Sequence, residues 1–258
     1  MATQPLAKER DLFVFDMDGT LARSKTPMDK EMDGLLCALL AKRRVAVIGG
    51  GWLPVFQWQI LDELSASPEA LSRLHLMPTS SAKYLRFEEG AWKEVYALEL
   101  SQEERAHILQ AFAAAFKQVG YMHPEKLYGD VIEDRGTQIT FSALGQEAPI
   151  ELKDAWKDSP LDRRREIVQA MQPMLPEFEI KIPGKTSIDI TRKGVDKGYG
   201  VEQLHERLGI PIDRMIFVGD ALYEGGNDEP VKRTGICAIA IKDVEETKAL
   251  IRGWLQVI

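Results

Sequence analysis

Apolar residues recur along this chain in two rhythms. Leu12-Phe13-Val14-Phe15 and Val45-Ala46-Val47-Ile48 are short unbroken runs, the pattern of strands buried on both faces of a parallel sheet. Between them, Met32, Leu35, Leu36, Leu39 and Leu40 fall at helical spacing, which predicts an amphipathic helix over 30–42. Gly49-Gly50-Gly51 follows the second run, and another helix is predicted over 55–64. Strand, helix, strand, glycine turn and helix in this order predict a right-handed βαβ unit. A third short strand is expected at 74–78, then a hairpin formed by 84–87 and 92–100 around Glu88-Glu89-Gly90.

The character changes near Ser101. Ser101-Gln102-Glu103-Glu104 has capping-box spacing and opens a helix expected to reach Val119. Alternating strands are predicted at 131–133, 137–144, 178–182 and 187–191, with a helix over 161–174 among them. The first rhythm then returns: helix 199–208, strand 215–218, strand 235–241 and helix 244–254. The expected fold class is α/β. A parallel core at 1–98 and 193–258 is split by an inserted α+β domain at 99–192.

The first apolar run ends in two carboxylates, Asp16 and Asp18. In an extended chain, residues i and i+2 point to the same side, so both are expected to face one pocket at the strand's C-terminal end, where open α/β sheets bind ligands. Close carboxylates repel unless a cation lies between them, which suggests Mg²⁺ with its oxygen ligands. Alone, Asp-x-Asp-Gly reads equally well as a surface turn. A second strand, Met215-Ile216-Phe217-Val218, also ends in an acid, at Gly219-Asp220, and Gly225-Gly226-Asn227-Asp228 follows on a loop. Asp220, Asn227 and Asp228 add hard oxygen groups beside Asp16 and the Asp18 carbonyl. Lys197, in Val195-Asp196-Lys197-Gly198 before a helix, is the candidate cation for a transferring phosphoryl group; by itself it reads as one solvated lysine among many.

These pieces, in this order, resemble the haloacid dehalogenase superfamily of phosphotransferases. The resemblance spans nearly the whole chain: Asp16-Met17-Asp18-Gly19-Thr20-Leu21, Lys30-Glu31-Met32-Asp33, Arg135-Gly136-Thr137 with Ile139 and Phe141, Ser187-Ile188-Asp189-Ile190, Asp196-Lys197, and Gly219-Asp220 through Gly225-Gly226-Asn227-Asp228. It is closest to the branch with a large α/β cap, subfamily IIB, which includes eukaryotic-type phosphomannomutases and bacterial sugar-phosphatase-like relatives. The resemblance implies a Rossmann-like core and a cap that closes over the substrate. It implies Asp16 as nucleophile, Asp18 as acid and base, and Asp220 with Asp16 and the Asp18 carbonyl as the Mg²⁺ site, supported by Asn227 and Asp228. Lys197 neutralises phosphoryl oxygens, and Ser187 and Asp189 meet sugar hydroxyls. The remaining substrate contacts expected are Gly50, Gly51, Arg135, Ser142, Gln146 and Lys185.

Two departures bear on the reaction. The family keeps a Ser close to the end of its second strand, where this chain has Gly51; glycine backbone N–H groups still hold an anion there. The mutases carry arginines where this chain has Ser142 and, nearby, Gln146. Arginine is favoured for bidentate phosphate binding, so a weaker distal-phosphate grip is expected and hydrolysis is favoured over mutase chemistry. A phosphohexomutase and a weakly catalytic phosphate-binding protein are the alternatives.

Composition narrows the partners. With 258 residues and a net charge of −7, the chain is a poor broad binder of nucleic acid. Arg163-Arg164-Arg165 reads as a solvated helix face. No stretch is apolar enough to span a bilayer, and the N-terminus lacks an apolar signal region. Cys37 and Cys237, in apolar contexts, are expected to be buried free thiols of a cytoplasmic protein. Four scattered histidines give no Zn²⁺ spacing. The expected partners are a small phosphorylated substrate and, through the cap, a second copy of the chain.

Overall fold

The computed structural model describes residues 7–157, 159–183 and 185–258. Contacts divide the chain into two units: residues up to Ala97 with Val195–Ile258, and Leu98–Gly194. The first unit opens with β1 (Leu12–Asp16), α1 (Lys30–Leu40), β2 (Arg44–Ile48), α2 (Leu53–Phe56), α3 (Pro68–Leu71) and β3 (Leu74–Met77), then a hairpin of β4 (Lys83–Glu88) and β5 (Ala91–Ala97). The second unit contains α4 (Gln102–Val119), β6 (Ile132–Asp134), β7 (Ile139–Ser142), α5 (Ile150–Trp156), α6 (Arg164–Met171), β8 (Phe178–Lys181) and β9 (Ser187–Arg192). The chain returns to the first with α7 (Lys197–Leu208), β10 (Met215–Gly219), β11 (Cys237–Ala240) and α8 (Val244–Leu255).

In the first unit the strands form one sheet in the order β11-β10-β1-β2-β3-β4-β5. The five from β11 to β3 are parallel, and β4 and β5 add antiparallel. Both faces are apolar, which is why the strands read as unbroken runs. Phe13, Phe15, Val45, Val47 and Val218 pack with Met32 and Leu36 of α1 and Ile251 and Trp254 of α8. Leu12, Val14, Ala46 and Phe217 pack on the other face with Val201 and Leu204 of α7. The helix predicted over 55–64 takes another form: α2 gives way to a π-helical turn, Gln57–Leu61, closed by Asp62 N–H donating to the Gln57 carbonyl at 2.8 Å. Such turns widen a helix by one residue and re-aim its side chains.

In the second unit the sheet is antiparallel, in the order β6-β7-β9-β8. Ile139, Phe141, Ile188 and Ile190 pack with Ile108 and Phe112 of α4 and Ile167 and Met171 of α6. Period-two alternation sends Thr140, Ser142, Ser187 and Asp189 to the opposite face. The capping box at α4 is formed: Glu104 N–H donates to Ser101 Oγ at 3.2 Å, and Ser101 N–H to Glu104 Oε2 at 2.6 Å. Helix α5 was not foreseen; its seven residues are too short for a period to show.

Two expectations are corrected. Arg164 is not solvated: it is 5% exposed and its guanidinium donates to both Asp162 oxygens, at 2.8 and 2.6 Å. Cys37 and Cys237 are free but only half-buried; Cys237 packs against the core from its edge strand, and Cys37 Sγ donates to Asp33 Oδ1 at 3.3 Å.

Candidate active site

Strand β1 stands where the sheet order reverses, with β2 and β3 on one side and β10 and β11 on the other. A crevice opens at such a switch point beyond the strands' carboxyl ends. Asp16 is the last residue of β1, Gly219 the last of β10, and Asp220 follows it. Asp16, Asp220 and Asp228 each offer a carboxylate oxygen, and the three oxygens lie within 4.8 Å of one another. Two glycines make this approach possible. A Cβ on Gly19, whose φ is +82°, falls 2.2 Å from Asp220 Oδ2, and one on Gly219 falls 2.2 Å from Asp228 Oδ2.

Lys197 is the first residue of α7, is 1% exposed, and donates to Asp16 Oδ1 and, at 2.5 Å, to Asp228 Oδ1. Thr20 Oγ1 donates to Asp16 Oδ2 at 3.3 Å, and Ala221 N–H holds Asp228 Oδ2 at 2.9 Å. Burial opposes the Lys197 charge, but Asp16 and Asp228 outweigh it and raise its pKa. Burial pushes the Asp16 carboxyl up to about 7, against Lys197 and with the help of Asp228. Asp220 is also raised, by burial and then by Asp228. Three carboxylates, Asp16 and Asp228 buried and Asp220 exposed, face one ammonium, so a fully ionised site carries excess negative charge. Oxygen-only donors with uncompensated charge suit a hard divalent cation, and the residues present fit Mg²⁺.

Asp18 does not join the carboxylate cluster. The extended geometry stops at Asp16, and the chain turns through Gly19, so the i, i+2 rule does not carry past the strand end. Instead Asp18 Oδ1 accepts from Lys25 N–H at 3.0 Å and from Gln59 Nε2 at 3.2 Å. Gln59, fully buried on the π-helical turn, also donates to the Thr26 carbonyl at 3.0 Å. It was missed in the sequence, where a lone Gln in a helical pattern carries no signal. Asn227 is exposed beside Asp228.

Beyond β2, the N–H groups of Gly50 and Gly51 have no partner among the described residues. A side chain at Gly51 is crowded by Val55, 3.0 Å from a Cβ, whereas the nearest atom to a Cβ on Gly50 is Ser80 Oγ at 3.8 Å. Thr79, Ser80 and Ser81, which follow β3, all have positive φ, +50°, +52° and +76°. Left-handed backbone costs a non-glycine residue about 1–2 kcal/mol.

The other expected substrate contacts lie in the second unit and are largely engaged there. Arg135 pairs with Glu133 at 2.5 Å and reaches Gln146 Oε1 at 3.5 Å. Ser142 is 1% exposed and donates to the Gly145 carbonyl at 3.0 Å, so its hydroxyl does not serve as an open contact. Lys185 pairs with Asp154. Asp189 accepts from Thr140 Oγ1 at 2.8 Å and is raised by burial, with Arg135 opposing. Ser187 stands opposite Ser142 in the register.

A family model described as haloacid dehalogenase-like hydrolase matches residues 88–228. Phosphomannomutase of Schizosaccharomyces pombe is 28% identical over 88% of this chain and 88% of its own length. Phosphomannomutase of Encephalitozoon cuniculi is 26% identical over 93% of this chain and 91% of its own. IMP-bound IMP-nucleotidase of Plasmodium falciparum shares the fold, with a TM-score of 0.68 at 15% identity, covering 97% of this chain and 71% of its own. So does the C-terminal domain of trehalose-6-phosphate phosphatase of C. albicans, with a TM-score of 0.66 at 14% identity, over 100% and 97%. Among the described residues, no helix is long and apolar enough to cross a membrane.

Proposed function

This chain belongs to the haloacid dehalogenase-like hydrolases, enzymes of phosphoryl transfer, and we propose that it is a Mg²⁺-dependent phosphatase acting on a small phosphorylated sugar. The observation that carries this reading is the buried Asp16–Lys197–Asp228 network with Asp220 beside it at the switch point of the sheet. Asp16 attacks phosphorus in line, the bond from phosphorus to the sugar oxygen breaks, and Asp18 gives that oxygen its proton. Asp18, now a carboxylate, takes a proton from water. The water oxygen attacks the aspartyl phosphate, and inorganic phosphate leaves as Asp16 is regenerated. Lys197 holds Asp16 in its attacking orientation and offers positive charge to the phosphoryl oxygens; the Gly50 and Gly51 N–H groups face the same anion. Asp16, the Asp18 carbonyl and Asp220 hold the ion, with Asn227 and Asp228 supporting. Mg²⁺, when bound, offsets charge on the phosphoryl oxygens.

Hydrolysis is preferred because the second unit offers few uncommitted donors for a distal phosphate: Ser142 is spent on Gly145, and Arg135 is tied to Glu133. Asp189, with Thr140, is read as its sugar-hydroxyl contact. The mutase reading draws on the phosphomannomutases that match along most of the chain. One assay separates the two: phosphate release and interconversion of hexose 1- and 6-phosphates, measured together with Mg²⁺ present. Phosphate release lost in Asp16→Asn and in EDTA supports the phosphatase; interconversion outpacing release overturns it in favour of the mutase.

A further inference from the structure

We propose that Ser80, in the turn after β3, supplies the hydroxyl that grips the transferring phosphoryl group in place of the one the chain lacks after β2. The inference rests on the phosphoryl-transfer reading above. Three observations carry it.

The first is position. Asp16 pairs with Ile48 in the register, so Gly49-Gly50-Gly51 leaves the sheet next to the attacking carboxylate. Ser80 N–H donates to the Gly49 carbonyl and Thr79 N–H to the Gly51 carbonyl, both at 2.8 Å. These bonds fasten the β3 turn onto the glycine turn. Ser80 Oγ is the nearest atom to the place where a Gly50 side chain would begin, at 3.8 Å. The hydroxyl therefore stands over the same turn whose Gly50 and Gly51 N–H groups have no partner among the described residues.

The second is strain. Thr79, Ser80 and Ser81 occupy left-handed backbone one after another. Glycine adopts that conformation without penalty, yet hydroxyl-bearing residues hold all of it. The turn is over-determined: besides the two bonds to the glycine turn, Ala82 N–H donates to the Thr79 carbonyl at 3.1 Å and Tyr96 Oη to the Ser81 carbonyl at 2.9 Å. Backbone held in an unfavourable region by its surroundings is a mark of functional sites.

The third is the free hydroxyl. Ser80 is half-buried, and its Oγ has no hydrogen-bond partner among the described residues. Ser81 differs. Its Oγ is fully buried where a Cβ on Gly200 of α7 would come within 2.1 Å, so it packs the turn against the helix that carries Lys197. A donor left open beside two open N–H groups is a binding site for an oxyanion, and the ligand class is a phosphoryl oxygen.

The test uses the whole chain with Mg²⁺ and orthovanadate, a mimic of the transferring group, measured by calorimetry alongside thermal melts. Ser80→Ala is expected to bind vanadate about ten- to a hundredfold more weakly, the cost of a hydrogen bond to a charged group. Ser80→Gly is expected to bind as weakly while melting higher, because it relieves the left-handed strain. Gly50→Ser placed in the Ser80→Ala background is expected to recover part of the affinity. Vanadate binding by Ser80→Ala and Ser80→Gly equal to the parent's overturns the assignment. A parent that binds no vanadate overturns the phosphoryl-transfer reading itself, a distinguishable result.

Discussion

The strand-end site of the first unit and the ion pairs of the second handle charge in opposite ways. At the first, Asp16, Asp220 and Asp228 crowd around one ammonium, and burial raises two of them. In the second, several cations meet an acid close by in their own unit: Arg135 with Glu133, Arg164 with Asp162, Lys185 with Asp154, Arg192 with Glu104. Unmatched buried charge is costly until something of opposite sign arrives. Charge matched within the unit leaves little to hold an anion. The difference leaves the excess of buried carboxylate charge at the strand-end site of the first unit.

The comparison breaks most completely at Asp16. Asp16→Asn keeps the shape and removes the nucleophile, so kcat for p-nitrophenyl phosphate is expected to fall on the order of 10⁴-fold or more. Survival of turnover in that variant sinks the enzymatic mechanism. Lys197→Met comes next. It strands Asp16 and Asp228 without their cation, and breaking a buried pair this way costs about 3–5 kcal/mol. A lower melting temperature, partly recovered by millimolar Mg²⁺, is the expected result. Mg²⁺ at a hundred times its Kd should stabilise the parent by about 2.7 kcal/mol, and EDTA should abolish both that gain and turnover. A parent whose melting ignores Mg²⁺ shows that the excess carboxylates do not recruit a divalent ion.

Gln59→Leu sharpens the contrast from within the first unit. It removes the donor that steers Asp18 and the tie to Thr26, and leaves the Asp16 cluster untouched. kcat is expected to drop roughly tenfold with KM nearly constant, since the acid is mis-aimed and the phosphate grip is kept. A KM change alone makes Gln59 structural. Arg135→Gln probes the second unit. Its partly exposed pair with Glu133 is worth at most about 1 kcal/mol, so hydrolysis should change only a few-fold. A collapse of turnover shows that this arginine grips a phosphate and moves the protein towards the mutase.

The fold class was legible because strands buried on both faces leave unbroken apolar runs, and acids that end such runs stand out. Asp16 and Asp220 were found that way. Asp228 lay in view only as part of a glycine-rich loop; that it joins the cluster while the Asp18 carboxylate leaves it depends on the turn through Gly19, which no periodicity encodes. Gln59 was illegible because its role comes from a π-helical turn inside a helical pattern. The charge pairing in the second unit was equally hidden: Arg164 and Asp162 are near in sequence, but only the tertiary packing shows that they are buried together. Local pattern specifies elements; long-range contacts decide which charges are left over.

The smallest effect at neutral pH separates the two units by their histidines. His75, on β3, is 1% exposed, shares a 2.8 Å hydrogen bond with Tyr84 Oη, and has its pKa pushed down to about 3 by burial and then by Arg86 and Arg44. His123, in the second unit, packs against Phe116 and Tyr121 and is lowered by burial while remaining more open. Well above pH 6.5 both imidazoles are neutral, folded or unfolded, and contribute little pH dependence. As the pH falls below 6.5, the unfolded chain takes up a proton on His75 that the folded core refuses, so stability falls at about 1.36 kcal/mol per pH unit until the pH approaches the folded value. By pH 5 that is about 2 kcal/mol, seen as a lower urea midpoint. His75→Gln keeps an acceptor for Tyr84 and cannot be protonated, so it should flatten this acid limb at little cost at pH 7.5, whereas His123→Gln should flatten it less. An acid limb unchanged in His75→Gln assigns the loss to carboxylates whose pKa is lowered in the fold, such as Asp11 beside Arg214 and Glu104 beside Arg192, and removes His75 as its source.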